Sequence, residues 1–229
     1  MRVLAIDTAA GACSVAVWDG ATLHQQIRVM DRGHAEALVP LLLQVMQDAG
    51  CGFADLGLLA VTVGPGAFTG LRIGLATARG LCAATGLPCL GVTTLEAVAA
   101  AAGSSSPADR PLLVALDTRR GDVYAQAFLQ QEALGEPEVA TPEGLALRFA
   151  SQRLVVAGDA CAAVLAAMHA VGAEAVAAPG VAAYPVAGQV ARIALERWLA
   201  GVRPLDPPAP LYLRAPATGP QQRHAGSGR

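Results

Sequence analysis

The chain has 229 residues and a net charge of −2, with 54% hydrophobic and only 15% charged residues. These values favour a globular α/β protein with a large apolar core and argue against a basic nucleic-acid-binding protein. No apolar run is long enough for a membrane span, MRVLAID does not resemble a signal peptide, and the five cysteines form no C-x-x-C pair. We therefore expect a cytoplasmic protein with free thiols and no membrane contact.

Three predicted strands open the chain: MRVLAID (1–7), SVAVWDG (14–20) and ATLHQQIRV (21–29), which tight turns join into an antiparallel meander at a sheet edge. A helix is predicted over HAEALVPLLLQVMQDAG (34–50), because its apolar residues recur at helical spacing and its final glycine can cap the C-terminus. Pro40 lies inside that pattern, so we expect the first turn to be kinked or to start late.

A buried strand, LGLLAVTVG (56–64), leads into a helix-like segment that is rich in glycine. LPCLGVTT (87–94) and LEAVAAAA (95–102) follow as a strand and a short helix. GSSSPADRP (103–111) has the composition of a linker. We therefore predict an N-terminal domain over residues 1–103.

The second half begins as the first does, since ALDTRRGDVYAQA repeats the pattern of AIDTAAGACSVAV: an apolar strand, Asp-Thr, a turn and a second strand. Such repetition predicts a duplicated α/β unit. We expect a C-terminal domain over residues 111–214, with the amphipathic helix 184–201 packing across both halves. The tail, residues 215–229, has the composition of a disordered segment.

A few polar residues at strand ends are candidates for nucleotide binding. Asp7, Thr8 and Asp117 follow strands where they can meet a phosphate, and VAGDA (156–160) can approach a base or ribose. Turn carboxylates that bond their own backbone explain the same residues, and Asp159 can equally be a helix N-cap. No histidine pairs with a second metal ligand at a suitable spacing, and there is no G-x-S-x-G elbow. The sequence therefore shows no catalytic constellation.

The segment GPGAFTGLRIG lacks the lysine of a triphosphate-binding loop and does not have the G-x-G-x-x-G spacing. Gly66, Gly70, Gly74 and Ala78 instead recur every four residues, which places them along one face of a helix. A bare stripe of this kind lets a second helix approach closely. We expect a partner to fill it; the alternative is that helix 34–49 of the same chain does so.

Taken in order, IDTAAGACSVAV, GHAEALVPLL, VGPGAFTGLRIGLATARGL, GVTTLEA, LDTRRGDVY and PLYLR resemble the TsaB family. These are the non-catalytic paralogues of TsaD in the bacterial system that makes threonylcarbamoyladenosine in transfer RNA. The resemblance implies the actin-like, Hsp70-like ATPase (ASKHA) fold with two ribonuclease-H-like halves. It implies a TsaD-like catalytic paralogue and a TsaE-like ATPase as partners, with transfer RNA contacted only indirectly, and it leaves homodimerisation open.

The resemblance also implies what this chain lacks. In the catalytic paralogue the strand after the glycine-bearing helix leads into a His-x-x-x-His metal motif, whereas this chain has Thr94 and Val98 at those positions. We therefore expect no metal, no cofactor and no catalytic role. Arg119 and Arg120 stand where ATPases of this fold have glycine, so any ATP or ADP binding is expected to be weak and to arise at the interface of the complex.

The leading hypothesis is a scaffold that binds and activates the catalytic paralogue; the alternatives are a metallopeptidase-like enzyme and a small-molecule kinase of the same fold. For the scaffold, the glycine-bearing helix and helix 34–49 are expected to meet their counterparts in a four-helix arrangement. The expected interface residues are Gly66, Phe68, Thr69, Gly70, Arg72, Ile73, Gly74, Thr77, Leu38 and Leu42.

Overall fold

The computed structural model describes residues 1–103, 107, 109–180 and 183–214. The predicted tail over 215–229 and part of the predicted linker lie outside these residues. In chain order the elements are β1 (Arg2–Ala10), β2 (Ala12–Trp18), β3 (Leu23–Val29), α1 (His34–Asp48), β4 (Leu56–Gly64), α2 (Phe68–Thr85), β5 (Cys89–Thr93), α3 (Thr94–Ala102), β6 (Leu112–Asp117), β7 (Val123–Leu129), β8 (Glu132–Ala133), β9 (Glu138–Ala140), α4 (Pro142–Arg148), β10 (Leu154–Ala157), α5 (Cys161–Ala170), β11 (Ala175–Ala177) and α6 (Ala187–Leu199).

The first sheet has the strand order β3-β2-β1-β4-β5. β1 pairs antiparallel with β2 and parallel with β4, and β5 is parallel to β4. Leu4 and Ile6 of β1 point into a core shared with α1 and α2, while Val3 and Ala5 point into a core shared with α6. Because helices cover both faces, the central strands are almost continuously apolar rather than alternating.

The second sheet repeats this plan with the order β11-β10-β6-β7-β8, and β9 also pairs with β7. β6 is antiparallel to β7 and parallel to β10, as β1 is to β2 and β4. The repeated Asp-Thr strand ends thus occupy equivalent positions, on β1 and at the end of β6. The predicted α/β class with two similarly connected halves is confirmed.

One helix from each unit packs against the sheet of the other unit. Leu95 and Val98 of α3 pack in one core with Leu112 and Val114 of the second sheet. α6, which follows the second sheet in sequence, instead packs on the first sheet, where its N-terminal Ala187 N–H donates to Ser14 Oγ at 2.9 Å. The prediction that the helix near 184–201 packs across both halves is therefore wrong. The helix that contacts both sheets is α3.

The end of β1 and the start of α1 bear on what was predicted for these elements. β1 continues to Ala10, with an irregular register against β2 between Asp7 and Ala10. α1 begins at His34 despite Pro40, so of the two expected consequences, a kinked first turn or a late start, the late start is wrong. Pro40 lies on the exposed side of the helix, where a missing backbone hydrogen bond costs least because water can replace it. None of the described helices is both long enough and apolar enough to cross a membrane.

Candidate functional site

The glycine stripe of α2 lies against the end of β1. Gly70 and Gly74 are buried, and a Cβ atom built at Gly70 would overlap the carbonyl oxygen of Thr8. A Cβ atom at Gly74 would lie 2.6 Å from Thr8 Oγ1, which is inside van der Waals contact. The Thr8 hydroxyl donates to the carbonyl oxygen of Gly70 at 2.7 Å. Glycine is therefore required here so that a strand can approach the helix backbone.

Gly66 takes part in the same close contact with the end of β1, since a Cβ atom there would overlap the carbonyl oxygen of Ala9. The N–H of Ala67 donates to that oxygen at 2.8 Å. The expectation that Gly66, Gly70 and Gly74 face a partner is thus wrong, and so is the alternative in which helix 34–49 fills the stripe. The spacing correctly placed Gly70 and Gly74 on one face of α2, but Gly66 precedes the helix, and a strand of the same chain covers that face.

Leu38 and Leu42 are also misassigned. They are 1% and 2% exposed and belong to the core between α1 and the first sheet. The large apolar side chains that α1 leaves in solvent are Val39 and Leu43, which are 51% and 55% exposed. They are four residues apart and so share one face of the helix.

The exposed side of α2 carries small residues: Thr69, Ala76, Gly80 and Ala83. Their spacing of seven, four and three residues aligns them on one face. A Cβ atom at Gly80 would meet nothing within 4 Å, so that face is open. α1 and α2 pack side by side on the same sheet face. We call these four residues, together with Val39 and Leu43, the outer face.

The other predicted interface residues flank the outer face. Ile73 is half-buried and packs against the core that α1 shares, and Thr77 is also half-buried. Phe68 and Arg72 lie on the opposite flank, where Tyr212 of the C-terminal segment covers them. The predicted set therefore separates into Thr69, which belongs to the outer face, residues beside that face and residues buried beneath it.

A cleft of about 680 Å³ opens between the two units, next to the N-terminal ends of α1 and α2. Its charged lining has four carboxylates and two guanidinium groups: Asp31, Glu36, Asp117, Asp159, Arg32 and Arg119. Arg119 reaches across the cleft and lies 3.9 Å from Asp31 and 3.6 Å from Asp117. The excess of carboxylates disfavours a bound phosphate group.

The two carboxylates that the second unit contributes to the cleft accept hydrogen bonds from backbone N–H groups. Asp159 Oδ1 accepts from the backbone N–H of Asp117 at 2.7 Å, and Asp117 Oδ1 accepts from the N–H of Arg119 at 2.7 Å. Burial raises the pKa of Asp159, and the nearby charge of Asp117 raises it further. The Asp117 bond is that of a turn carboxylate, as the simpler interpretation of the sequence had it. The Asp159 bond instead joins residues 42 positions apart, and the N-cap role considered for Asp159 is wrong, because Ala160 is the N-cap of α5.

Asp7 does not line the cleft, because it is completely buried. Its Oδ1 accepts from the Thr62 hydroxyl at 2.7 Å and from the N–H of Ala9 at 3.2 Å, whereas its Oδ2 has no partner. Burial raises the pKa of this carboxyl to about 7, against the lowering effect of the two hydrogen bonds. Of the three predicted nucleotide residues, Asp117 lines the cleft and Asp7 and Thr8 do not.

Thr94 and Val98, which replace the expected histidines, are both fully buried on α3. Val98 packs in the apolar core of the second sheet, and Thr94 Oγ1 has no hydrogen-bond partner among the described residues. Within the described ranges no group of three or more histidine, cysteine, aspartate or glutamate side chains is placed to hold a metal ion. These positions contribute packing in this chain.

Sequence reasoning missed Val39, Leu43, Ala76, Gly80 and Ala83 of the outer face. A signal was available, because α1 has apolar residues beyond the width of one buried face. The regular spacing of the glycines instead indicated an interface on the side of α2 that is buried.

The chain is similar in sequence to several known proteins. Residues 23–146 match the family described as TsaD, tRNA N6-adenosine threonylcarbamoyltransferase. The chain is 39% identical over 132 residues to the tRNA threonylcarbamoyladenosine biosynthesis protein TsaB of Escherichia coli K12, and 32% identical over 133 residues to the protein of that name from Haemophilus influenzae. Each alignment covers 58% of this chain, and 57% and 56% of the two relatives. The matched region thus spans little more than half of these relatives.

Solved structures match over nearly the whole chain. YeaZ from Pseudomonas aeruginosa superposes with a TM-score of 0.78 at 29% identity, covering 93% of this chain and 99% of that one. The ROK hexokinase from Thermus thermophilus has a TM-score of 0.51 at 16% identity over 87% of this chain and 99% of its own, which shows a shared fold alone. The predicted actin-like ATPase fold is confirmed.

Proposed function

This chain belongs to the TsaD family, and within that family we propose that it is a non-catalytic subunit of tRNA threonylcarbamoyladenosine biosynthesis. It binds a TsaD-like catalytic paralogue through the outer face of α1 and α2, and a TsaE-like ATPase joins the same assembly. The observation that carries this proposal is the exposed apolar and small-residue surface that the two helices present side by side.

The outer face has the chemistry of a helix–helix interface. Val39 and Leu43 are more than half exposed, and burying each such side chain is worth about 1.5–3 kcal/mol when it is complete. Beside them, Ala76, Gly80 and Ala83 leave α2 almost bare, so that a partner helix can approach its backbone. The buried sides of the same two helices pack in the core that they share with the first sheet, which makes the surface rigid. A pair of equivalent helices from the paralogue would complete a four-helix arrangement.

The absence of a catalytic role is supported by what occupies the positions of the expected metal motif. Val98 has no ligand atom, and Thr94 offers only a hydroxyl, which is a poor substitute for imidazole. Both side chains lie in the packed interior rather than on the wall of the cleft. The chain therefore contributes a surface to the reaction and leaves the chemistry to its partner.

Placing a charge on the outer face is expected to abolish the complex. Leu43→Glu and Ala83→Glu each force a carboxylate into a desolvated interface, which costs several kcal/mol and corresponds to at least a roughly 100-fold loss of affinity. The isolated variants should keep a melting temperature near that of the wild-type chain, because both positions are exposed. Co-purification with the TsaD-like paralogue and calorimetric titration measure the effect.

Matched controls come from the second unit. Leu147→Glu on α4 and Ala166→Glu on α5 introduce the same changes at exposed helical positions away from the outer face, and they should bind within about twofold of wild type. Equal loss in both pairs, or retained binding by both outer-face variants, would place the interface elsewhere. Sizing of the chain alone then tests whether the same face also forms a homodimer.

The isolated protein is expected to hold no stoichiometric iron or zinc, to cleave no peptide and to bind ATP weakly without turnover. The reasons are the apolar surroundings of Val98 and the excess of carboxylates over guanidinium groups in the cleft. Elemental analysis of protein purified without chelator and calorimetry with ATP measure these properties. One metal per chain would favour the metallopeptidase alternative, and tight ATP binding with hydrolysis would favour the kinase.

A further inference from the structure

The extended segment over residues 208–214, which we call the strap, lies along one flank of α2. The N–H of Leu211 donates to the carbonyl oxygen of Val63 at 2.7 Å, and Arg79 Nη2 donates to the carbonyl oxygen of Pro208 at 2.9 Å. The strap ends at Arg214, which pairs with Asp122 of the second unit. It therefore runs from the first unit to the second and forms part of the surface of both.

An aromatic ring and guanidinium groups of α2 lie against this strap. The ring of Tyr212 lies 5.1 Å from that of Phe68, and the Arg72 guanidinium stacks 3.8 Å from the Phe68 centroid on the same helix. Arg72 Nε also donates to Tyr212 Oη at 3.4 Å. The cluster is preorganised, since stacking and hydrogen bonding hold each of these side chains in place before any ligand arrives.

Next to this cluster is a crevice of about 130 Å³, separate in position from the outer face. Three aromatic residues line it, Phe68, Tyr124 and Tyr212, although aromatic residues make up only 4% of the chain. Arg120 and Arg214 line it as well. The crevice has room for one planar ring and is too small for a folded peptide segment.

The charges along the strap are not balanced. Arg214 is paired with Asp122, but Arg72, Arg79 and Arg120 form no ion pair with any carboxylate of the described chain. Arg120 has no hydrogen bond there either. An overall charge of −2 makes such a local excess of positive charge a distinct feature of this surface. Guanidinium groups that are not paired with a carboxylate suit phosphate oxygens, which they can bind through two parallel hydrogen bonds.

We infer that the strap surface binds a single-stranded RNA segment, with one base stacked in the crevice between the tyrosines and the phosphates on Arg72 and Arg120. Stacking platforms combined with a positively charged track are the way proteins hold unpaired nucleic acid, whereas a duplex keeps its bases out of reach. This inference rests on the proposed function, in which transfer RNA is the substrate of the assembly. It revises the expectation that transfer RNA is contacted only indirectly.

Fluorescence anisotropy of the full chain with a labelled single-stranded RNA of roughly 12 nucleotides tests the inference. Arg120→Glu is expected to weaken binding about tenfold and to reduce the salt dependence by roughly one phosphate contact. Tyr212→Ala is expected to weaken it about tenfold through lost stacking, whereas Tyr212→Phe keeps the ring and should stay within about twofold of wild type.

Two arginines elsewhere are matched controls. Arg153→Glu makes the same charge change at an exposed site of the second unit, and Arg203→Ala removes a guanidinium that stacks 3.8 Å from the Trp198 ring. Both should bind RNA as wild type does. Equal weakening by Arg153→Glu and Arg120→Glu, equal competition by polyglutamate, equal affinity for a duplex, or no saturable binding up to about 100 µM protein would overturn the inference.

The two proposals fail separately. Arg120 and Tyr212 do not belong to the outer face, so their variants should still co-purify with the TsaD-like paralogue. Loss of RNA binding with the complex intact supports the strap as an RNA surface. A chain that binds the paralogue normally but gives the overturning results above refutes the strap inference alone, while a chain that binds RNA but no paralogue refutes the proposed function.

Discussion

Replacement of Gly70 by alanine is expected to destabilise the isolated protein by about 3–5 kcal/mol, and replacement by leucine to prevent folding. The added Cβ atom would overlap the carbonyl oxygen of Thr8, so β1 and α2 must separate. Separation would also break the Thr8–Gly70 hydrogen bond in a buried site. For a chain of this size, the alanine variant should melt about 10 °C below wild type by calorimetry or circular dichroism.

Gly80 of the same helix is the matched control, because a Cβ atom there meets no atom within 4 Å. Gly80→Ala should stabilise the protein by roughly 0.5–1 kcal/mol, since alanine is the better helix former. If Gly70→Ala and Gly80→Ala have the same effect, the close approach of β1 to α2 is wrong. A folded Gly70→Leu variant that loses only its partner would restore the original interpretation of the glycine stripe.

Asp7→Asn is expected to remove a large pH dependence of stability. Burial raises the pKa of Asp7 in the folded state from 3.8 to about 7, so the folded protein retains a proton between about pH 4 and pH 7 that the unfolded chain has released. The free energy of unfolding therefore falls as the pH rises through this range, by up to about 4 kcal/mol from this group. Asparagine imitates the protonated carboxyl and avoids that loss.

Urea unfolding at a series of pH values measures the difference between wild type and variant. We expect near-equal stability at about pH 4 and a more stable variant at about pH 8, because the asparagine side-chain oxygen can still accept from the Thr62 hydroxyl and the N–H of Ala9. Asp19→Asn is a control of opposite sign. Backbone N–H groups lower the pKa of that exposed carboxyl, so its charged form stabilises the folded state, and the variant should be less stable than wild type at higher pH. Parallel curves for wild type and Asp7→Asn would contradict a buried titrating carboxyl.

The amino-acid sequence alone predicted the element order of the first unit and the duplicated plan, whereas β8, β9, α4 and β11 of the second unit were not predicted. Apolar runs that end in Asp-Thr identified the equivalent strands β1 and β6, because apolar runs and turn residues are local signals. Helical geometry alone placed Gly70 and Gly74 on one helix face. The prediction that Gly66 lies on the same face is wrong, because Gly66 precedes α2. The ordered motifs were specific enough to predict the ATPase-like fold, which the structural neighbours confirm.

Which segment covers each face depended on tertiary contacts that local patterns do not encode. The contact that explains the glycines joins residues 62 positions apart, Thr8 and Gly70, and the one that forms the strap joins residues 140 apart, Arg72 and Tyr212. The packing of α3 on the second sheet and of α6 on the first likewise depends on contacts between distant segments of the chain. Periodicity states which residues lie together on a helix, but whether a strand, a neighbouring helix or solvent covers them depends on how distant segments share the apolar surface that must be buried.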